Sequence, residues 1–286
     1  MKSIVSYCNL ASINVDAYYK LNEEDRYKLV FNTLEVLDQC VERGVYVGKN
    51  VDADEGFRNV GLGVLNLVYL VEQQGFHIDS QEASEFIDEL FDNISYNATK
   101  ASVELAKIKG PCKRQEKWKD TLPCLQHYKN FKKCWELTNY GKNYDFTKWE
   151  QLLEEIKKYG VRFSALMAVA PTSHSGKVIN ATLGVEPPQR LQLIEDNVNT
   201  SISYVPGYGV VDYKLAFDCD QQMLLQQTAI MQKWVDQSIS HTIFMNSNSI
   251  KVLSDLHFWA FEHGIKTLYY MKQQKIQFDE CSSCVV

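Results

Sequence analysis

Apolar residues recur every three to four positions in five segments of the 286-residue chain, and this spacing predicts amphipathic helices. The predicted helices cover 25–43, 80–109, 147–159, 220–235 and 249–263. A glycine follows four of them, as expected where a helix ends, at Gly44, Gly110, Gly160 and Gly264. Ser80 and Asp145 stand where a short polar side chain can cap a first helical turn.

Short apolar or alternating runs between the helices predict β-strands at 3–14, 161–170, 237–244 and 265–271. The run 59–65 is ambiguous, because its apolar residues also fit a helical period that continues to Gly75. The alternation of helix, glycine and apolar strand favours βα units with parallel, buried strands. Four or five such strands form a half-barrel or a short open sheet. A half-barrel leaves two unpaired edges, which a partner can cover.

Composition places the chain among ordinary globular proteins, with 45% hydrophobic and 23% charged residues. The net charge of -6 argues against a nucleic acid as the main partner. A local basic stretch with interleaved aromatic residues, 107–133, could bind a nucleic-acid strand, but a solvated surface excursion with packed aromatics is the favoured interpretation. No apolar run approaches the roughly 18 residues of a membrane span, and the N-terminal residues do not match the pattern of a signal peptide. We therefore expect a cytoplasmic protein.

A loop with three hydroxyl-bearing residues, Thr172, Ser173 and Ser175, follows the predicted strand 161–170 and opens a predicted helix; Pro171 and His174 belong to the same loop. Free backbone N–H groups at such a place can bind a phosphate. The pattern matches neither a P-loop nor a nucleophile elbow. From composition alone, plain helix capping is at least as good an explanation as phosphate binding.

Three cysteines and a tyrosine pair are further candidates for chemistry. Cys8 lies within a predicted strand, where a lone cysteine is usually inert core. Cys281 and Cys284 form a C-x-x-C near the end of the chain, a spacing that suits thiol–disulfide exchange. Tyr269 and Tyr270 end the last predicted strand, so their rings should point to opposite faces. The histidines show no metal-ligand spacing.

Taken together, eight segments resemble the C-terminal part of the large, catalytic subunit of class I ribonucleotide reductase. They are CNLAS (8–12), GLGVLN (61–66), KYGVR (158–162), NAT (180–182), EPP (186–188), MQK (231–233), DQSIS (236–240) and KTLYY (266–270). The resemblance implies an α/β fold: the second half, about five parallel strands with helices, of a ten-stranded α/β barrel. On this basis residues 1–272 form the barrel half, and residues 273–286 form a short, flexible, redox-active tail.

The resemblance also implies roles for single residues in a radical reduction of ribonucleotides. Cys8 corresponds to one of two cysteines that reduce the substrate and become a disulfide. Tyr269 and Tyr270 correspond to the pair that relays the radical from the small subunit. Substrate binding falls to the loop 171–175, which holds the phosphates, and to Leu10. Cys281 and Cys284 correspond to the tail pair that re-reduces the buried disulfide and is itself reduced by thioredoxin or glutaredoxin.

Departures from the family pattern define the expected partners. The family's radical cysteine, its second redox cysteine and its allosteric sites have no counterpart here, so we expect no activity from this chain alone. The implied partners are a separate chain with the N-terminal part of the large subunit and a small subunit with a metal-radical cofactor; this chain is expected to bind no cofactor. Met1 at a plausible start favours a split gene, as phages sometimes carry, and a phage-encoded chain is expected in the host cytoplasm. His174 and Phe163 replace the family's usual residues. The alternative is a catalytically decayed half that acts as a scaffold for the small subunit.

Overall fold

The computed structural model describes residues 7–44, 57–196 and 200–274. Cys281, Cys284 and nearly all of the predicted tail lie outside the described residues, as does the first part of the predicted strand 3–14. The elements follow one another as β1 (Asn9–Asn14), α1 (Val15–Tyr19), α2 (Glu23–Arg43), β2 (Val60–Leu65), α3 (Leu67–Gln73), α4 (Gln81–Lys109), α5 (Glu116–Asp120), α6 (Pro123–Asn130), α7 (Lys132–Trp135), α8 (Asn139–Lys142), α9 (Thr147–Tyr159), α10 (Ser173–Val178), β3 (Gln192–Asp196), β4 (Thr200–Tyr204), α11 (Gln221–Gln232), β5 (Thr242–Met245), α12 (Ile250–Glu262) and β6 (Tyr270–Gln273).

The five predicted helices are confirmed as α2, α4, α9, α11 and α12, with ends shifted by a few residues. The predicted cap of α4 and the glycine end of α9 are confirmed, whereas Asp145 is not the N-cap residue of α9: that position is held by Phe146, which makes no side-chain capping bond. The Ser80 side chain accepts a hydrogen bond from the Ala83 N–H at the start of α4. Gly160 ends α9 with a φ of 76°, a left-handed conformation that side-chain-bearing residues rarely adopt. The short helices α5 to α8 and the antiparallel hairpin β3–β4 were not predicted, because each carries too few residues to show a period.

Parallel strand pairing is present in two separate ladders. β1 pairs with β2 and β5 pairs with β6, both parallel. Isolated parallel bridges, Leu62 with Met167 and Val169 with Ile239, lie between these ladders. The chain is thus a mixed α/β protein with two small parallel sheets in its described part, and the half of a ten-stranded barrel stays a prediction.

The prediction of one continuous strand over 161–170 was wrong. This segment makes only bridges, and a side chain takes part in holding it. The Asp236 carboxylate accepts hydrogen bonds from the N–H groups of Leu166, at 3.2 Å, and of Met167, at 2.6 Å. Backbone amides that bond to a carboxylate are not available to a strand ladder. The ambiguous run divides instead: Val60–Leu65 is the strand β2, and the residues with helical spacing after it belong to α3.

The core is organised around α4, which packs against α2, α9 and α11. At its centre Asp88 forms an ion pair with Lys233, and both side chains are fully buried. Trp234 donates its Nε1–H to Asp88 at 2.7 Å, and the Trp135 ring lies 5.0 Å from that of Trp234. In the basic stretch 107–133, Trp118 is buried and donates to a backbone carbonyl, which favours the packed surface excursion over a nucleic-acid site.

Candidate functional site

Cys8 lies immediately before β1 and is exposed, rather than buried within a strand. Its sulfur is 3.8 Å from the Gln237 side-chain oxygen, and Gln237 in turn donates to the Val60 carbonyl. A Cβ at Gly61 would lie 3.3 Å from the Cys8 sulfur and 2.4 Å from the Leu10 side chain. Glycine at this position therefore lets the Cys8 and Leu10 side chains lie against β2.

The surroundings of Cys8 keep its thiol protonated. Desolvation by the packed chain raises the pKa of the thiol, and the nearby Asp236 carboxylate raises it further. The hydrogen bond with Gln237 acts in the opposite direction but does not cancel these effects. The protonated thiol holds a hydrogen atom that it can give up, whereas nucleophilic attack needs the thiolate.

A cavity of about 410 Å³ adjoins the predicted phosphate loop. Pro171, Thr172 and Ser173 line one part of it, and Tyr270 lines another. Within the described chain, the other predicted site residues do not line this cavity: Cys8, Leu10, His174, Ser175 and Tyr269. His174 and Ser175 lie on α10 and are exposed. The structure therefore brings together only part of the predicted set.

The side-chain hydroxyl of Thr172 stabilises the loop before α10. Thr172 is buried, and its Oγ1 accepts a hydrogen bond from the Gly184 N–H at 2.7 Å. Its carbonyl accepts from the Gly176 N–H at 2.8 Å. Ser173, the next hydroxyl, is exposed at the cavity wall. Because α10 has only six residues, the dipole argument for phosphate binding loses weight, and hydroxyl groups and charges become more important.

A hydrogen-bond network of three residues joins the segment after α10 to the carboxyl ends of β1 and β2. Asn66 has a φ of 70°, and its Oδ1 accepts from the Thr182 N–H at 2.9 Å. Its Nδ2–H donates to the Asn14 side chain at 3.1 Å. The Thr182 carbonyl in turn accepts from the Asn66 N–H at 3.0 Å. Asn66 and Thr182 stand in two of the segments that carry the family resemblance, whereas Asn14 was missed.

The electrostatics of the large cavity are mainly positive. Its wall contains the cations Lys177, Arg190 and Lys272 and one acidic residue, Glu186. Burial raises the pKa of the Glu186 carboxyl, against the lowering effects of hydrogen bonds from Thr242 and of the Lys272 charge. Sequence reasoning missed the roles of these four residues, although Glu186 stands in a segment that carries the resemblance. Such a wall suits an anionic ligand.

The tyrosine pair does not obey strand alternation. The ring centroids of Tyr269 and Tyr270 lie 4.2 Å apart with planes inclined by 62°, and each residue is 55% exposed. The prediction that the rings point to opposite faces was wrong, because β6 begins only at Tyr270 and Tyr269 lies outside the pleat. Both backbone N–H groups donate to the His241 carbonyl, at 2.9 Å and 3.4 Å. A hydrogen bond between the two side chains raises the pKa of Tyr270.

The described residues provide neither a metal-binding cluster nor a membrane-spanning helix. Among residues 7–44, 57–196 and 200–274, no cluster of three or more histidine, cysteine, aspartate or glutamate side chains could hold a metal ion. In the same part of the chain, no helix combines the length and the apolar character that a membrane span requires.

These features define a mixed α/β protein with parallel strands, a thiol beside one ladder, and a cationic cavity that is lined by one member of a tyrosine pair, Tyr270. The family model for the ribonucleotide reductase barrel domain matches residues 1–211 and 190–271. The chain belongs to this family.

Three relatives illustrate how much of a reductase the chain corresponds to. The chain is 33% identical to the ribonucleoside-diphosphate reductase subunit alpha of Helicobacter pylori over 285 residues, which covers 96% of this chain and 36% of the relative. The subunit alpha of Buchnera aphidicola is 31% identical, with 98% of this chain and 39% of the relative covered. That of Treponema pallidum is 27% identical, with 97% and 32% covered. The chain thus spans about a third of the length of these relatives.

Proposed function

We propose that this chain supplies part of the catalytic subunit of a ribonucleotide reductase, an oxidoreductase that converts ribonucleoside diphosphates to deoxyribonucleotides by a radical mechanism. The family match and the relatives' names support this proposal. The observation that carries it is the 410 Å³ cavity, which has the Thr172–Ser173 hydroxyl loop on one wall and Tyr270 on another.

Substrate binding rests on the charge and hydroxyl pattern of the cavity. Ser173 offers an exposed hydroxyl, and Lys177, Arg190 and Lys272 supply positive charge near it. Hydrogen bonds between cationic groups and phosphate oxygens are stronger than neutral ones. We assign the phosphates of the substrate to this cavity. His174, Ser175 and Leu10 keep the substrate-binding roles that the resemblance implies, outside the cavity wall.

In the reduction, we assign Cys8 as one of the two thiols that lose their hydrogen. In this scheme the ribose 2'-hydroxyl leaves as water, and the two cysteines are oxidised to a disulfide. The second cysteine comes from a part of the barrel that this chain does not match. Cys281 and Cys284 then reduce this disulfide by exchange and are themselves reduced by thioredoxin or glutaredoxin.

Radical transfer is assigned to the Tyr269–Tyr270 pair. The ring contact at 4.2 Å and the hydrogen bond between the side chains support the passage of an electron and a proton from one phenol to the other. Tyr270 lies at the cavity and Tyr269 does not, so Tyr270 is the member nearer the substrate. The radical originates in a small subunit whose metal-radical cofactor supplies the oxidising equivalent.

Completion of the site by a further chain is supported by the strand pairing. Among the described strands, β1 pairs only with β2 and β6 pairs only with β5, so each presents a further backbone edge. Exposed edges of this kind are usually covered by another strand or element. We propose that the N-terminal part of the large subunit, as a separate chain from a split gene, completes the ten-stranded barrel along these edges.

The test is nucleotide reduction by the assembled protein. We would purify this chain with the proteins that associate with it in its native source, and measure the conversion of ribonucleoside diphosphate with dithiothreitol or thioredoxin as reductant. Activity is expected only in the mixture. Cys8→Ser should abolish turnover, whereas Cys40→Ser, which removes another exposed cysteine on α2, should not. Turnover that survives Cys8→Ser would refute the role of Cys8.

The tyrosine relay has its own matched pair of variants. Tyr270→Phe removes the hydroxyl that the relay needs but keeps the ring, so turnover should disappear while assembly persists. Tyr208→Phe serves as control, because Tyr208 is a similarly exposed tyrosine whose ring also contacts a neighbouring tyrosine, Tyr204. Stable assembly without any activity of the wild-type mixture would favour the scaffold alternative.

A further inference from the structure

A second, much smaller cavity lies behind the wall of the large one. Its volume is about 10 Å³, and Glu186 and Thr242 line both cavities. Residues of α11, among them Gln227 and Thr228, close its far side together with His241. A space of roughly 10–15 Å³ holds a single water molecule and nothing larger.

Three of the residues that line this small cavity each have a buried polar atom without a hydrogen-bond partner. In the described part of the chain, Glu186 Oε1, Gln227 Oε1 and His241 Nε2 have no hydrogen-bond partner, and all three residues line it. Gln227 is 2% exposed and His241 is 4% exposed. A buried polar atom without a hydrogen-bond partner lowers the stability of the fold by about 1–3 kcal/mol. Three such atoms around one small cavity therefore favour a single molecule that binds all of them.

The rest of the hydrogen-bond pattern makes two of these atoms acceptors. Gln227 uses its amide hydrogens on the carbonyls of Ile78, at 2.9 Å, and Ser80, at 3.1 Å, so its Oε1 can only accept. The Thr228 hydroxyl donates to a backbone carbonyl, and it therefore accepts from His241 Nδ1–H at 2.7 Å. The Nε2 atom of a neutral His241 is then an acceptor as well.

We propose that Glu186, Gln227 and His241 bind one water molecule in this cavity, and that Glu186 is the protonated member that donates to it. The count of hydrogens leads to this assignment. A water molecule donates two hydrogen bonds, which satisfy His241 Nε2 and Gln227 Oε1. The third contact must then be a hydrogen bond from Glu186 to the water oxygen. An ionised Glu186 would be a third acceptor beside His241 Nε2 and Gln227 Oε1, and one of the three would have no hydrogen-bond donor.

The site has a consequence for the large cavity, and this part rests on the proposed function. A protonated Glu186 places no negative charge beside a bound phosphate, while Lys177, Arg190 and Lys272 keep their attraction for it. Lys272 and Tyr270 of β6 face Glu186 across the large cavity, and His241 faces it across the small one. Burial lowers the pKa of His241 to about 4, so this histidine adds no positive charge at neutral pH.

The water site is tested directly, without reference to nucleotides. A high-resolution crystal structure of the chain in its assembled state should show one water within hydrogen-bond distance of Glu186, Gln227 and His241. A direct bond between Glu186 and His241, or an ordered site with fewer than these three partners, would overturn the proposal. In infrared spectra at pH 7, a protonated-carboxyl band should be present and should vanish in Glu186→Gln but persist in Glu82→Gln, an exposed control. A carboxylate band for Glu186 at this pH would also overturn it.

The electrostatic consequence is tested with inorganic pyrophosphate as the probe. Glu186→Gln keeps a hydrogen donor for the water and cannot ionise, so its pyrophosphate affinity should match that of the wild type at pH 6. As the pH rises and Glu186 ionises, the wild type should become about tenfold weaker than Glu186→Gln, as expected for one unit charge across such a cavity at an effective dielectric constant of about 20. An equal affinity ratio at all pH values overturns the protonation assignment. Absence of pyrophosphate binding in both proteins refutes the proposed phosphate site instead, and leaves the crystallographic and infrared results to decide on the water.

Discussion

His127 is placed so that acid should destabilise the folded chain. It is 7% exposed, and its Nδ1 accepts a hydrogen bond from Trp135 Nε1–H at 3.1 Å. Within the described residues its Nε2 has no hydrogen-bond partner. Burial lowers the pKa of His127 to about 3, and the positive charges of Lys233 and Lys266 contribute to the decrease. Protonation would break the bond from Trp135 and add a charge beside buried Lys233.

The direction of the pH effect follows from the two pKa values. The unfolded chain has an ordinary histidine pKa of about 6.5, so between pH 6.5 and pH 3 the unfolded state binds more protons than the folded state. Stability is therefore fully present above pH 6.5 and is lost as the pH falls. With about 1.36 kcal/mol per unit, the loss from His127 is about 2 kcal/mol at pH 5 and approaches about 5 kcal/mol below pH 3.

Urea unfolding followed by tryptophan fluorescence measures this effect, because Trp135 contacts His127 directly. We expect the free energy of unfolding of the wild type to fall between pH 8 and pH 5 by about 2 kcal/mol more than that of His127→Gln. His257→Gln, which replaces an exposed histidine on α12, should behave as the wild type. The same pH dependence in wild type and His127→Gln would refute the reasoning.

Two further predictions concern packing and buried charge. Gly63→Ala should destabilise the chain by about 1–3 kcal/mol in urea unfolding, because the added Cβ would lie 2.4 Å from the Ala168 carbonyl oxygen. An unchanged urea midpoint would contradict the close approach of β2 to the backbone at Ala168. Asp88→Asn should lower the free energy of unfolding by about 3–5 kcal/mol, because it leaves Lys233 buried without its counter-charge. The double variant with Lys233→Met should recover part of this loss. A double variant no more stable than Asp88→Asn would show that the unpaired charge is not the cause.

Local signals accounted for the helices well because a helix is stabilised within one segment. The Ser80 cap and the glycine at position 160 act on neighbouring backbone groups, so their effect is visible in the sequence. The strand predicted over 161–170 failed for the opposite reason. Two of its amides, those of Leu166 and Met167, bond to Asp236, about seventy positions further along the chain, and no local pattern in the sequence indicates such a partner.

The family, the main helices and the candidates Cys8, Tyr269 and Tyr270 could be predicted without a structure, because these depend on local residue order. Which groups share a cavity depends instead on how distant segments pack together. Glu186 and Lys272 come from segments far apart in the chain and line the same large cavity, and His241 and Glu186 both line the small one. The charge and protonation of a site depend on such distances and on burial, and both arise only when the chain packs.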